Sequence, residues 1–168
     1  MEPSKITESY QGGLGIYGPV TDKMAMFAFG AEFAEVRVHR WTKEIRVPRL
    51  HGAFAAGTIL NAKTAHSQLL GGLVWGLSSA LHEHTEVDVP RARFLNNNIA
   101  EYLIPVNADV REVRVEIVPE TDTYVNPLGV KGIGELSIVG TAAAIGNAIH
   151  HATGKRLRKL PFTIADMV

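Results

Sequence analysis

The sequence lacks cysteine altogether, which excludes disulfides, thiolate-ligated zinc and iron–sulfur clusters carried by this chain itself. It also lacks an excess of either charge, because 17 basic residues balance 17 acidic ones. This balance gives no electrostatic indication of a nucleic-acid partner or an anionic membrane, and no apolar run reaches membrane-spanning length. We therefore expect neither a nucleic-acid partner nor a membrane partner.

The first residues contain no apolar signal-peptide core. We expect a cytoplasmic location, or a periplasmic one if a partner carries the export signal. What the sequence does contain is 168 residues, of which 46% are hydrophobic and 20% charged, enough for one domain with a buried core. Residues 1–23 are rich in glycine, serine and proline, which predicts a flexible arm or a join to an upstream region. The domain is then expected over residues 24–168.

Two stretches alternate between apolar and polar residues, as half-buried strands do. The first runs from Phe33 to His39 and is followed by a turn at 41–44 and a returning strand at 45–50, which together predict a hairpin. The second covers 112–117, where three valine or isoleucine residues alternate with charged ones. These patterns predict three strands.

Two other stretches have apolar residues three or four positions apart, the spacing of an amphipathic helix. The first is 62–82, and the second runs from Ile138 to Ala152 with Gly154 as its C-terminal stop. Gly71, Gly72 and Gly76 lie inside the first helix, where they indicate either close helix packing or the approach of a ligand. The order is β-β-α-β-α, which predicts an α+β fold with two main helices on a small antiparallel sheet.

The most informative loop is 129–135, with three glycines in its first six residues and Lys131 among them. Glycines before a helix free the backbone to direct N–H groups at an anion, although the loop matches neither the GxxxxGKS/T nor the GxGxxG pattern. The other interpretation is a glycine-rich turn in which Glu135 interacts with the dipole of the following helix. From the residues alone, both interpretations remain open.

Seven histidines are present, including the pairs His82/His84 and His150/His151. Neither pair has the i, i+4 spacing that places two histidines on one face of a helix, as in the HExxH motif. Neither pair has an obvious third ligand. We therefore predict no metal ligand in the chain. A GxSxG elbow is also missing, so hydrolase chemistry has no support.

Several motifs together, in order over residues 25–168, resemble the large molybdenum-binding subunit of bacterial aldehyde oxidoreductases, in the xanthine dehydrogenase or molybdenum hydroxylase family. They are GAEFAEV (30–36), GAFAAG (52–57), ILN (59–61), SQLLGG (67–72), NN (97–98), EY (101–102), IP (104–105), NPLGVKGIGE (126–135) and ATGKR (152–156). The resemblance implies that residues 24–168 are the C-terminal part of a molybdopterin-binding domain.

The resemblance also implies a reaction and a cofactor, molybdopterin cytosine dinucleotide. In that family a molybdenum-bound hydroxide attacks the substrate carbon, hydride passes to a sulfido ligand, and a glutamate takes the proton, so that aldehydes become carboxylic acids. Glu135 occupies the position of this base. The positions that match cofactor-contacting residues are Thr58, Ile59, Leu60, Asn61, Ala62, Lys63, Thr64, Gln68, Lys131, Gly132, Ile133 and Gly134. Thr58 and Ala62 depart from the arginine and proline that the family often has there.

The same resemblance implies partners: the upstream part of the molybdenum subunit, an iron–sulfur subunit, an FAD subunit, and a small aldehyde or heterocycle as substrate. We expect the isolated chain to be inactive, and to self-associate through apolar surface that the upstream part would cover. One alternative is a non-catalytic remnant or interaction module of the same fold that binds no cofactor alone. Another is an independent phosphate- or nucleotide-binding domain that uses the 129–135 loop.

Overall fold

The structure is a computed structural model that describes residues 24–168, so the arm predicted over 1–23 lies outside the described residues. Within the described residues, five strands and two α-helices follow one another. They are β1 (Phe29–Val38), β2 (Ile45–Ala55), α1 (Ala62–Leu81), β3 (Val87–Asp88), β4 (Arg93–Phe94), β5 (Glu112–Ile117) and α2 (Thr141–Thr153). Single 3-10 turns cover Val89–Arg91, Leu136–Ile138 and Ala165–Met167.

The predicted hairpin is confirmed, and both of its strands are longer than the alternation indicated. β1 and β2 pair antiparallel from Phe29 opposite Ala55 to Val38 opposite Ile45, with a bulge between Glu35 and Arg37. The extension of β2 has no polar residue after His51, and Gly52, Phe54 and Ala55 are buried, so it lacks the polar alternation that marks a half-buried strand. This longer hairpin forms two of the three strands of the main sheet.

The expectation of a purely antiparallel sheet is wrong. β5 pairs parallel to β2, from Arg49 opposite Glu112 to Phe54 opposite Ile117, so the sheet is mixed and has the order β1-β2-β5. A parallel pair needs a long crossover, and the chain between β2 and β5 supplies one that contains α1. The alternation of β5 could not reveal its direction, because both pairings have the same two-residue period.

Both helices pack on the sheet and enclose one core, which confirms the α+β architecture. The largest fully buried apolar side chains come from β2, α1 and α2: Phe54, Leu69, Leu73, Leu77, Ile145 and Ile149. α1 has the predicted bounds, whereas α2 begins at Thr141 rather than at Ile138, because Leu136–Ile138 forms a 3-10 turn. Gly154 ends α2 as predicted, with a φ of 77° and its N–H donated to the His150 carbonyl.

The glycines within α1 have different surroundings. A Cβ at Gly76 would lie 2.8 Å from Cγ2 of the buried Thr141, and a Cβ at Gly72 would meet Ser137 and lie 3.2 Å from the Ile138 backbone nitrogen. A Cβ at Gly71 would meet nothing within 4 Å. Close packing of α1 against the segment after Glu135 therefore explains two of the three glycines.

Candidate functional site

The first part of the site is the start of α1, which Asn61 caps. Its side-chain oxygen accepts hydrogen bonds from the backbone N–H groups of Lys63 and Thr64, both at 3.1 Å. The first turn of the helix contains no acidic residue. The partial positive charge of this helix end is therefore not neutralised from within the helix.

The second part is the loop 126–135, which is joined to the chain just before α1. The Thr58 N–H donates to the Gly129 carbonyl at 2.8 Å, and Gly57 and Val130 form an antiparallel bridge. Gly57 and Gly129 each have a φ of 66°, which favours glycine. A Cβ at Gly129 would also lie 2.9 Å from the Asp122 carbonyl oxygen. This crossing point fixes the loop against the residues that lead into α1.

Asn126 gives the loop its shape. Its side-chain oxygen accepts from the N–H groups of Leu128 and Val130 at 3.1 and 3.2 Å, while its Nδ2 donates to the Val130 carbonyl at 2.7 Å. An asparagine side chain that bonds to nearby backbone in this way stabilises a turn. The loop thus closes on itself before it reaches the glycines at 132 and 134.

Lys131 holds the loop through a buried ion-pair cluster, named here the Lys131 clamp: Lys131, Glu120 and Asp122. The Lys131 side chain is only 6% exposed, and its Nζ lies 2.6 Å from Glu120 Oε1 and 3.0 Å from Asp122 Oδ2. Glu120 also accepts a hydrogen bond from the Gly57 N–H at 2.7 Å. One cluster therefore ties the loop both to the segment after β5 and to the segment before α1.

The charges of the Lys131 clamp stabilise one another. Hydrogen bonding to Lys131 lowers the pKa of Glu120 and of Asp122 below their ordinary values. Burial by itself would lower the pKa of Lys131, but its hydrogen bonds to the two carboxylates outweigh burial and raise that pKa. Because its charge is already compensated twice, Lys131 is poorly suited to bind a phosphate, which counts against the independent phosphate-binding reading.

The two parts of the site meet where Gln68 of α1 donates from Nε2 to the Gly134 carbonyl at 2.6 Å. An amide has a second N–H and an oxygen, so this bond leaves Gln68 capacity for a ligand. A Cβ at Gly132 or Gly134 would meet nothing within 4 Å. The backbone on either side of Ile133 therefore faces open space, and the adjoining Glu135 is exposed.

Glu135 does not act as the simple helix partner considered above. It precedes the 3-10 turn Leu136–Ile138, makes no side-chain capping bond there, and lies six positions before Thr141, the first residue of α2. The residue that precedes α2 is Gly140, and the carboxyl of Glu32 on β1 lies against it. Burial raises the pKa of Glu32, although hydrogen bonds from Thr141 and Gly140 oppose that shift.

The structure thus brings the two predicted stretches, 58–64 with Gln68 and 131–135, to one surface. Within it, Thr58, Leu60, Asn61, Ala62, Lys63, Thr64, Gln68, Gly132, Gly134 and Glu135 are exposed, while Ile59 and Ile133 are half-buried. The sequence did not predict the roles of Glu120 and Asp122, because nothing in a loop of ordinary polarity marks these two carboxylates as partners of Lys131.

In residues 24–168 no three His, Cys, Asp or Glu side chains are grouped as metal ligands. No helix in that range is long and apolar enough to cross a membrane.

Comparison with known proteins identifies the family. The family model described as Molybdopterin cofactor-binding domain matches residues 4–111. The chain belongs to this family. It is 40% identical over 152 residues to the Escherichia coli aldehyde oxidoreductase molybdenum-binding subunit PaoC, a match that covers 90% of this chain and 21% of PaoC. The resemblance to the molybdenum hydroxylases is thereby confirmed.

Two further relatives agree. The chain is 35% identical over 152 residues to the probable hypoxanthine oxidase XdhD of Escherichia coli, covering 90% of this chain and 15% of XdhD. The crystal structure of the aldehyde oxidoreductase from Desulfovibrio desulfuricans matches with a TM-score of 0.70 and 28% identity, over 80% of this chain and 14% of that one. The chain spans about a fifth of the length of PaoC.

Proposed function

We propose that the chain is the C-terminal part of the molybdenum-binding subunit of an enzyme that oxidises aldehydes to carboxylic acids, with Glu135 as its catalytic base. The observation that carries the proposal is the bond from Gln68 to Gly134, because it holds the start of α1 beside the loop that ends in Glu135. The name of PaoC supports aldehyde oxidation as the reaction class.

Two features of the surface on either side of that bond support the binding of a molybdopterin dinucleotide there. The capped start of α1, with no acid in its first turn, suits a phosphate group, so residues 58–64 and Gln68 would hold the dinucleotide, which we propose to be the cytosine form. The open backbone of 131–134 would lie along the pterin. Lys131 would contribute there through its backbone, because its ammonium is engaged by two carboxylates.

When bound, the cofactor would supply the oxidation chemistry, and this chain would supply orientation and a proton acceptor. An exposed carboxylate at the end of a constrained loop can take a proton from a group held in front of it. The Lys131 clamp and the Gly72–Ser137 contact fix the loop on both sides of Glu135. This rigidity would keep the carboxylate at a constant distance from a group bound along 131–134.

The remaining contributions would come from partners. We propose that an upstream part of the molybdenum subunit completes the cofactor site and selects a small aldehyde or heterocycle. Electrons would leave through an iron–sulfur subunit and an FAD subunit, and the assembly would be cytoplasmic, or periplasmic if a partner carries the signal. The isolated chain would be inactive and prone to self-association, because its surface exposes large apolar side chains such as Phe94, Ile99 and Leu103.

The test is to co-express the chain with an upstream segment and the iron–sulfur and FAD partners, as wild type, Glu135→Gln and Glu86→Gln. Glu86 is also exposed but lies five residues after the last residue of α1, Leu81, so its variant is a matched control for the loss of one carboxylate. We expect equal molybdenum and pterin contents in all three, with aldehyde oxidation reduced by about 100-fold or more only in Glu135→Gln.

Full activity in Glu135→Gln would show that the base is a different residue. If molybdenum and pterin are missing from all three assemblies although they fold, the chain is instead the non-catalytic module of the same fold. If the wild type contains the cofactor but does not oxidise aldehydes, the proposed cofactor binding is supported and the proposed reaction is contradicted.

A further inference from the structure

A cavity lies at the end of α1 that is remote from Gln68. It is a cleft of about 610 Å³ between the start of β2, the end of α1, the segment before β5 and the C-terminal segment. Gln68 and His82 are 14 positions apart, which corresponds to about 21 Å along a helix. Neither the proposed base nor the proposed cofactor residues line this cleft.

The floor of the cleft is apolar. Val47, Leu77 and Phe162 line it, and each belongs to the buried core, with 4%, 1% and 7% of its surface exposed. The volume lies within the range of about 300–1,000 Å³ that is usual for small-molecule sites, which are mostly apolar with a few placed polar groups. The floor therefore suits the aliphatic or aromatic body of a small molecule.

The rim of the cleft carries charges of both signs, and one of its arginines has no ion-pair partner among residues 24–168. Among the arginines that line it, Arg37 is bonded to Glu35 and Arg46 to Glu44. Arg111 forms no salt bridge with any carboxylate in the described part of the chain. The guanidinium of Arg111 is therefore available for an anionic group, which arginine binds through paired hydrogen bonds.

His82 adds a second unsatisfied polar group. Its Nδ1 is buried and has no hydrogen-bond partner, while its Nε2 lies 3.8 Å from Asp109 Oδ2, too far for a hydrogen bond. Buried polar atoms are nearly always hydrogen-bonded in folded proteins, so this nitrogen is an exception in a residue that lines the cleft.

From these observations we propose that the cleft binds a small organic carboxylate with an apolar body, its carboxylate on Arg111 and its body against Val47, Leu77 and Phe162. Asp109 and Glu44 on the rim disfavour dianions, so a monocarboxylate fits the charge balance better. The proposal does not depend on the molybdenum reaction, because none of its residues belongs to the Gln68–Glu135 surface.

The test is titration of the full 168-residue chain with octanoate, and with octanol as the uncharged analogue, monitored by calorimetry and by amide NMR shifts. We expect octanoate to bind and to shift amides around Leu77 and Phe162. Arg111→Gln should weaken the binding of octanoate at least about 10-fold, because a hydrogen bond to a charged group is lost. The affinity for octanol should stay unchanged. Arg158→Gln, which makes the same substitution at an exposed arginine that does not line the cleft, is the matched control.

Ala108→Phe provides a second variant, since it fills the cleft from an exposed position without touching the core. It should abolish the binding of both ligands while the circular dichroism spectrum stays that of the wild type. The proposal is overturned if octanoate does not bind at millimolar concentration. It is equally overturned if Arg111→Gln and Arg158→Gln weaken binding to the same extent, or if the folded Ala108→Phe chain still binds.

Discussion

Replacement of Gly76 by alanine tests the packing that joins α1 to the segment after Glu135. The added Cβ would lie 2.8 Å from Cγ2 and 2.9 Å from Oγ1 of Thr141, and closer still to its Cβ. Thr141 is fully buried, and a change of rotamer cannot move its Cβ. Because an ordinary contact between carbon atoms is about 3.5–4.0 Å, the two helices must separate by several tenths of an ångström or more.

The magnitude follows from two opposing effects. Overpacking a well-packed core costs about 1–3 kcal/mol, while alanine in place of glycine within a helix gains about 1 kcal/mol. Gly71 is the matched control, because it lies in the same helix and a Cβ there meets nothing within 4 Å. The helix-propensity gain is common to both variants, so Gly76→Ala should be less stable than Gly71→Ala by about 1–3 kcal/mol.

The assay is urea denaturation followed by far-ultraviolet circular dichroism, with the free energy of unfolding compared among wild type and both variants. Gly71→Ala should be more stable than the wild type. If Gly76→Ala were as stable as Gly71→Ala, the close contact between α1 and Thr141 would be wrong, and with it the account of why glycine stands at that position.

Two further predictions concern the site itself. Asn61→Ala should lower the free energy of unfolding by about 1 kcal/mol, because two N–H groups lose their acceptor. Asn61→Asp keeps the acceptor and should keep the stability of the wild type. Thermal denaturation distinguishes the two variants. The pKa values of Glu120 and Asp122 are lowered by Lys131, so the stability from the Lys131 clamp is fully present above about pH 4 and is lost as pH falls through their folded-state pKa values. In denaturation curves, Lys131→Met should therefore lose less stability than the wild type between about pH 5 and about pH 2, a range that begins just above the ordinary carboxyl pKa and extends below it. An identical acid-side loss in both proteins would contradict the clamp.

The local features of this protein follow from its sequence alone. The period of apolar residues gave the bounds of α1, and Gly154 gave the end of α2, because helix periodicity and C-cap conformation depend on residues close together in the chain. The hairpin of β1 and β2 is local for the same reason. The motifs that together resemble the family, among them the stretch around Glu135, are contiguous, so they could be compared without any knowledge of the fold.

Tertiary structure decided which of these pieces meet. The parallel pairing of β5 with β2 depends on the crossover through α1, and alternation is the same in either direction. Lys131 is 11 positions from Glu120, and Gln68 is 66 positions from Gly134, so neither contact has a sequence signal. The reason is physical: the charge of a lysine or the amide of a glutamine is the same in any sequence, and only the fold determines which group it faces.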